Sequence, residues 1–326
     1  MNVAVVEGGY SHEKVISLRS SQTVIENLDK SRFKVYRIRI DLEGWFYYSN
    51  DGKMGVVDKN DFSIQVNGER IQLEYAFIMI HGTPGEDGKL QAYFDILKIP
   101  YSTCNQVLSA LTFNKFLCNR FLSDLGFNVA EATIVSKGAL YNAEEIVEKV
   151  GLPCFVKPAD GGSSFGVTKV KRIEELDAAI KLATEDGNGT KALIESFLEG
   201  TEVTNGVFRS KNGVKVLPIT EIVSENEFFD FDAKYTGKSD EITPARISDE
   251  MTEKVKSTTG RVYETLGMTG IARIDYILVK GEPYLIEINT VPGMSSESII
   301  PKMARVEGIS LSDLLSEVID VSLIEG

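Results

Sequence analysis

Residues 271–289, I-A-R-I-D-Y-I-L-V-K-G-E-P-Y-L-I-E-I-N, leave the chain few ways to fold. The first nine are rich in β-branched and aromatic side chains and alternate polar with apolar, which predicts a strand over 271–279. Lys280-Gly281-Glu282 predicts a turn, and residues 283–289 the returning strand. Side chains on a strand repeat every two residues, so Arg273 and Asp275 share one face, as do Glu287 and Asn289. A three-residue turn centred on Gly281 opposes Asp275 to Glu287 and Arg273 to Asn289. A two-residue turn opposes Asp275 to Ile286 and mixes an apolar side chain into the polar face. The pattern therefore favours the three-residue turn.

Two carboxylates facing each other repel, and burying both is costly unless a cation lies with them. Oxygen donors from Asp275, Glu287 and the Asn289 amide suit a hard ion such as Mg2+ or Mn2+, and do not suit zinc. Magnesium held by few protein oxygens fills its other positions with water and substrate phosphates. The competing reading is a solvated hairpin with incidental charge. Leu285, Ile286 and Ile288 make the returning strand too apolar for that.

A length of 326 residues accommodates two or three domains with sizeable cores. No apolar run is long enough to span a bilayer, and Met1 leads straight into a strand-like V-A-V-V with no room for a signal peptide. Cys104, Cys118 and Cys154 are odd in number, lack metal spacing and fall in apolar patterns, which predicts buried free thiols in a reducing cytoplasm. A net charge of −13 argues against nucleic acid or an acidic membrane as partner. An anionic substrate would then need lysines and arginines placed locally.

The chain opens as a parallel α/β unit: a strand over 3–6, Glu7-Gly8-Gly9, and a helix over 11–28 with Val15, Leu18, Ile25 and Leu28 as its apolar face. The dinucleotide fingerprint G-x-G-x-x-G is absent. Ligands in such sheets sit at the carboxyl ends of strands, which makes Ser11, His12 and Glu13 candidates. Further strands are predicted over 33–41, 76–80 and 99–102, with a hairpin-rich excursion over 44–48 and 62–73 and a helix over 89–97. A helical pattern runs from 105 to 125 with Lys115 inside it. Strands follow over 133–135, 152–157 and 167–170. Between the last two lies A-D-G-G-S-S-F-G, which offers backbone N–H groups and hydroxyls to an anion or is only a hairpin connection. A helix over 173–183 leads to a strand over 192–197, and residues 202–208 continue that sheet. The aromatic stretch 228–237 predicts a covering loop. Ser248 caps a helix to 266, and a last helix lies near 311–318.

Seven motifs in this order carry a resemblance that covers nearly the whole chain. They are G-G-Y-S-H-E-K-V-I-S-L-R-S, H-G-T-P-G-E-D-G, F-V-K-P-A-D-G-G-S-S-F-G-V, I-E-S-F-L-E-G-T-E, D-A-K-Y, A-R-I-D and E-I-N-T-V-P-G-M-S-S-E-S. The chain resembles the ATP-grasp superfamily and, within it, the D-alanine–D-alanine ligase family. The resemblance implies an α/β fold in which an N-terminal parallel α/β domain joins two α+β domains that clasp ATP. The expected boundaries are 1–103, 104–190 and 191–326. It implies ATP-dependent joining of two D-alanines for cell-wall precursor synthesis in the cytoplasm. ATP, D-alanine and two Mg2+ (or Mn2+) are the implied small molecules, and a homodimer the implied assembly.

Residue by residue, the resemblance assigns Asp275, Glu287 and Asn289 to the metal ions, and Lys115 and Lys157 to the phosphates. Glu195 and Glu202 would bind adenine and ribose, with Phe197 and Leu198 lining the base. Ser163 and Ser164 would sit in the loop over the triphosphate. Glu13 would pair with the first substrate's ammonium, while Arg273 and the Gly293 N–H would stabilise oxyanion charge. Lys234 and Ser298 would hold the second carboxylate, and Tyr235, Ser163 and Glu13 would be linked by hydrogen bonds. Glu13 has a rival reading as a first-turn acid favoured by the helix dipole. His81 is either substrate-binding or a satisfied histidine at a strand end. His12 stands where the family often has a small residue and is read as surface. Glu7 and Gly162 also depart from the family pattern.

Overall fold

The structure, a computed structural model, describes residues 1–49, 52, 54–160, 166–185, 190–224 and 239–325. Its first sheet starts with β1 (Asn2–Gly8), whose run V-A-V-V is buried because the sheet is covered on both faces. β1 lies between β2 (Lys34–Asp41) and β7 (Tyr75–Ile78), parallel to both. Strands β3 (Gly44–Tyr48), β4 (Met54–Asp58), β5 (Ser63–Val66) and β6 (Glu69–Gln72) then extend the same sheet antiparallel beyond β2, in the order β6-β5-β4-β3-β2-β1-β7. The predicted excursion is therefore an extension of the main sheet. The predicted strand over 99–102 reduces to one bridge between Ala76 and Tyr101.

Helix α1 (Lys14–Asn27) buries a face other than the apolar one expected. Ser17, Ser20, Ser21 and Val24 face inward, whereas Val15 is exposed. Small hydroxyls let the helix approach the strand ends closely and satisfy backbone groups there: Gly8 N–H donates to Ser17 Oγ at 2.9 Å. Helix α2 (Lys89–Leu97) follows. The helical run predicted from 105 to 125 breaks into α3 (Gln106–Phe113) and α4 (Lys115–Asp124). Asn114 is extended and caps α4, accepting from Leu117 N–H, so Lys115 is the first residue of a helix.

A four-stranded antiparallel sheet, in the order β10-β9-β11-β8, is built from β8 (Ala132–Ser136), β9 (Cys154–Pro158), β10 (Thr168–Val170) and β11 (Lys191–Ser196). Helices α5 (Ala143–Val150) and α6 (Leu176–Glu185) cover its core. A five-stranded antiparallel sheet, in the order β14-β13-β12-β15-β16, uses β12 (Thr201–Ser210), β13 (Gly213–Ser224), β14 (Ser239–Ile242), β15 (Ile271–Val279) and β16 (Glu282–Asn289). Sheet membership thus corrects one reading. β12 does not continue the sheet of β11, and the chain passes from one sheet to the next between Ser196 and Thr201. β11 stays with β9 because its alternating Ala192 and Ile194 complete the core under α6.

Helix α7 (Asp249–Thr265), capped by the Ser248 side chain with Asp249 and Glu250 in its first turn, packs with α3 and α4 into the core of the five-stranded sheet. The last helices, α8 (Ile299–Val306) and α9 (Leu311–Glu325), return to the first sheet: Ile300, Met303, Leu314, Leu315, Val318 and Ile319 share its core. The chain end thereby holds the loop after β16 against the mouth of β1. The three cysteines are buried and free. Burial pushes the thiols of Cys104 and Cys118 up to about 12 and that of Cys154 up to about 11. No helix among the described residues is long and apolar enough to cross a membrane.

Candidate active site

In the β15–β16 hairpin Asp275 faces Glu287 and Arg273 faces Asn289, the pairing the sequence favoured. The route differs. The turn has two residues, Lys280 and Gly281, both at positive φ (49° and 85°), and Val279 pairs directly with Glu282. The parity is restored by a bulge that leaves Ile286 without a partner between Leu285 and Glu287.

The repulsion expected between the two acids is answered within the protein. Arg273 grips Asp275 with both arms, Nε to Oδ1 at 2.9 Å and Nη2 to Oδ2 at 2.8 Å. Asn289 Nδ2 donates to Asp275 Oδ2 at 3.2 Å, and the Thr204 hydroxyl from β12 donates to Oδ1. Glu287 pairs with Lys115 Nζ at 3.2 Å. Among the described residues no three His, Cys, Asp or Glu side chains gather as a ready ion site. Repulsion alone therefore no longer demands an ion. The donor chemistry of Asp275, Glu287 and the Asn289 amide, all oxygen and sheltered from bulk water, still fits a hard divalent cation.

Lys115 owes its place to the break before α4. Its N–H donates to Ala159 O at 3.0 Å, which ties the helix start to the exit of β9, where the glycine-serine stretch begins. Burial opposes its charge, but Glu287, Glu195 and Glu86 outweigh burial and hold its pKa above the usual lysine value. Lys157 on β9 and Glu195 on β11 form a buried ion pair. Phe197 stands beside Phe155, ring centroids 5.9 Å apart, with Lys169 Nζ 4.1 Å over its face. Leu198 is half-buried, and Glu202 lies on β12 opposite Ile277. Residues 197–200 are the crossover between two sheets. Glu195 and Glu202 therefore belong to different sheets, β11 to the four-stranded and β12 to the five-stranded one.

The other end of the site gathers at the carboxyl ends of β1 and β7. Glu13 directly precedes α1 and makes no side-chain capping bond to it. Its Oε2 would lie 3.5 Å from a Cβ placed on Gly82, so this carboxylate is seated against H-G-T-P-G-E-D-G. His81 is buried, and its charge is disfavoured first by burial and then by Arg273, while Glu13 and a bond to the Val291 backbone oppose the shift. A Cβ on Gly293 would meet Ser298 Oγ at 2.9 Å, so the turn after β16 needs a glycine to lie against that hydroxyl. Ser298 caps α8 without a side-chain bond to it and instead shares a 2.8 Å hydrogen bond with Ser295.

Two residues join this site that sequence reasoning did not assign. Glu86 takes the Gly82 N–H at 2.6 Å and is pushed up to about 8, by burial first and then by Glu13. It feels Lys115 and Glu287 as well, and so stands between the two ends of the site. Its signal was available as one of two adjacent acids, Glu86 and Asp87, inside a glycine-rich motif that also holds His81. Ser20 is the other, and only the spacing of Ser17, Ser20 and Ser21 on one helix face hinted at it. Ser163, Ser164, Lys234 and Tyr235 lie outside the described residues.

Two family models match the chain, one described as "D-ala D-ala ligase N-terminus" over residues 2–104 and one as "D-ala D-ala ligase C-terminus" over residues 121–320. A D-alanine–D-alanine ligase of Flavobacterium johnsoniae is 51% identical over 322 residues, covering 99% of each chain. The crystal structure of the VanG D-Ala:D-Ser ligase from Enterococcus faecalis superimposes with a TM-score of 0.85 at 30% identity, over 98% of this chain and 99% of that one. A Bacillus anthracis D-alanine–D-alanine ligase complexed with ATP superimposes with a TM-score of 0.78 at 29% identity, over 99% and 97%.

Proposed function

This chain belongs to the D-alanine–D-alanine ligase family, and from that premise we propose how its residues divide the work. The reaction is the ATP-dependent joining of two D-alanines to D-alanyl-D-alanine, for peptidoglycan precursor synthesis. One observation carries the assignment: Arg273–Asp275 and Lys115–Glu287 converge on one hairpin, with Glu13 and His81 at one end and Lys157–Glu195 at the other.

A carboxylate resists attack by an amine, so it is first activated. In our reading a carboxylate oxygen of the first D-alanine attacks the γ-phosphorus of ATP, ADP leaves, and an acyl phosphate remains. Lys115 and Lys157 neutralise the phosphate oxygens during this transfer, and Ser163 and Ser164 supply donors over the triphosphate. Glu195 and Glu202 take the adenine amino group and ribose, with Phe197 and Leu198 against the base. Asp275, Glu287 and Asn289 would hold two Mg2+ or Mn2+ ions, exchanging their Arg273 and Lys115 contacts for them. When bound, such ions screen phosphate charge and orient the γ-phosphate.

Glu13 pairs with the ammonium of the first D-alanine and fixes that carboxylate. The second D-alanine is held by Lys234 and Ser298 at its carboxylate, with His81 nearby. Its amine, after losing a proton, attacks the acyl carbon, and Arg273 and the Gly293 N–H take up the oxyanion charge. Collapse expels phosphate and leaves the peptide bond. Tyr235, Ser163 and Glu13 would close the site against water, which would otherwise hydrolyse the acyl phosphate. We further read the three sheets as the cores of three domains, and the assembly as a homodimer.

D-alanine rather than D-serine is favoured as second substrate by the 51% identity to a D-alanine–D-alanine ligase, against 30% to the D-Ala:D-Ser ligase. A nucleotide sensor without catalysis would not need Arg273, Asp275, Glu287 and Asn289 all in register. The test is ADP release with ATP, a magnesium salt and D-alanine, L-alanine, D-lactate or D-serine, with mass analysis of the product. D-Alanyl-D-alanine is expected with D-alanine; no ADP with any of the four would overturn the reading.

A further inference from the structure

The turn that carries Gly293 is gripped at both ends by two side chains from elsewhere in the chain. Met294 N–H, at the far end of the turn, lies 3.1 Å from Ser20 Oγ on α1. Val291, at the near end, is hydrogen-bonded through its backbone to His81, in a sense that favours a protonated ring nitrogen. Ser20 Oγ and His81 Nε2 are themselves 3.5 Å apart. Ser20, His81, Val291 and Met294 are all buried, and Ser11 Oγ donates to His81 O at 2.9 Å and fixes its backbone.

The directions of the bonds in this chain follow from the two backbone groups at its ends. A backbone N–H can only donate, so Ser20 Oγ accepts from Met294. The Val291 backbone favours a proton on the ring nitrogen it meets, and Nε2 is the nitrogen beside Ser20, so Nε2 is left to accept from the Ser20 hydroxyl. A neutral imidazole has one N–H, so that proton sits on Nδ1 and donates to the Val291 carbonyl. Arg273 and Glu13 are the charged groups that face the ring.

We propose that Ser20 and His81 are positioning residues: together they clamp the turn over residues 291–294 and so aim the Gly293 N–H at the developing oxyanion. His81 is thereby committed to the turn and does not bind the second substrate. This inference rests on the reading of Gly293 as an oxyanion donor. A small displacement of such a donor is enough to slow turnover substantially.

The test uses the full-length chain with ATP, D-alanine and a saturating magnesium salt, and the variants Ser20→Ala, His81→Asn and their combination. Each single variant should lower kcat for dipeptide formation by roughly 10- to 100-fold, with the KM for ATP within about twofold. The double variant should lose no more than the worse single one, because both act through one clamp. A merely structural role would lower thermal stability without this kcat-against-KM split. The chain has two histidines, so 15N-histidine NMR reads the ring directly. His81 should be neutral with the proton on Nδ1 in the wild type, and Ser20→Ala should mix the tautomers. Protonation on Nε2, a cationic ring at neutral pH, multiplicative losses in the double variant or wild-type kcat in Ser20→Ala would each overturn the proposal. Absence of ADP release by the wild type would overturn the functional reading instead, and the NMR result would then judge the clamp by itself.

Discussion

Glu7 and Asp275 are both buried carboxylates held by arginine at a sheet, yet only one stands in a site. Glu7 faces Arg39 across the β1–β2 ladder, and Arg39 Nε and Nη2 reach Glu7 Oε1 at 2.9 and 2.6 Å. Arg37 lies 3.7 Å from the other oxygen, and Tyr48 covers the Arg39 guanidinium at 4.3 Å. Glu7 is fully enclosed, and burial outweighs its arginines to push its pKa up. Asp275 is also gripped by an arginine, but the residue opposite is a second acid, and that acid takes its counter-ion from a separate helix. The first cluster closes on itself. The second draws its charges from different elements and can exchange partners with a ligand.

If that contrast is right, Glu287→Gln should cut turnover by roughly 10²- to 10³-fold or more while the melting temperature stays within a few degrees. Near-wild-type rates would dissolve the distinction. Arg39→Met should do the reverse. It leaves Glu7 buried without its main partner, and a loss on the order of 3 kcal/mol in chemical denaturation is expected, with kcat per folded molecule unchanged. A drop in kcat without loss of stability would place the Glu7 cluster in the site.

A smaller effect should appear with pH. Burial lowers the His81 pKa below its ordinary value near 6.5, so the folded state favours the neutral ring. The contribution to stability is then present above that value and is lost as pH falls toward the lower native one. Thermal stability and kcat of the wild type should both decline on that acid limb, and His81→Asn should flatten it. The smallest effect concerns the thiols. Raised pKa values keep Cys104, Cys118 and Cys154 protonated, so a thiol reagent at pH 8 should label none of them until denaturant is added. Rapid labelling of the native protein would show that these cores open.

The polar face of the hairpin was legible because parity is a local property of strands. The length of its turn was not, because a bulge adds a residue without changing which residues look polar. Lys115 was found through the family resemblance, but the helix break that delivers it depends on Asn114 bonding to Asp160 after β9, a tertiary event. The serine face of α1 was missed since hydropathy counts methyls and cannot see backbone groups waiting for hydroxyls. The sheet change after Ser196 was invisible for a similar reason: β11 and β12 have comparable patterns, and only the cores they complete tell them apart. Glu86 stood in plain view within its motif, but its environment is assembled from four elements.

The bulge at Ile286 has a further consequence. Its carbonyl is turned out of the ladder and accepts from Asn119 Nδ2 at 3.3 Å, and Asn119 lies one turn along the helix that begins with Lys115. Removing Ile286 would leave a regular two-residue hairpin in which Glu287 follows Leu285 and still meets Asp275. The two acids would keep their phase, while α4 would lose its mooring on β16 and Lys115 its fixed distance from Glu287. One residue out of step with the ladder thus serves as a coupling pin between helix and sheet, and its deletion would separate the alignment of the acids from the delivery of the cation.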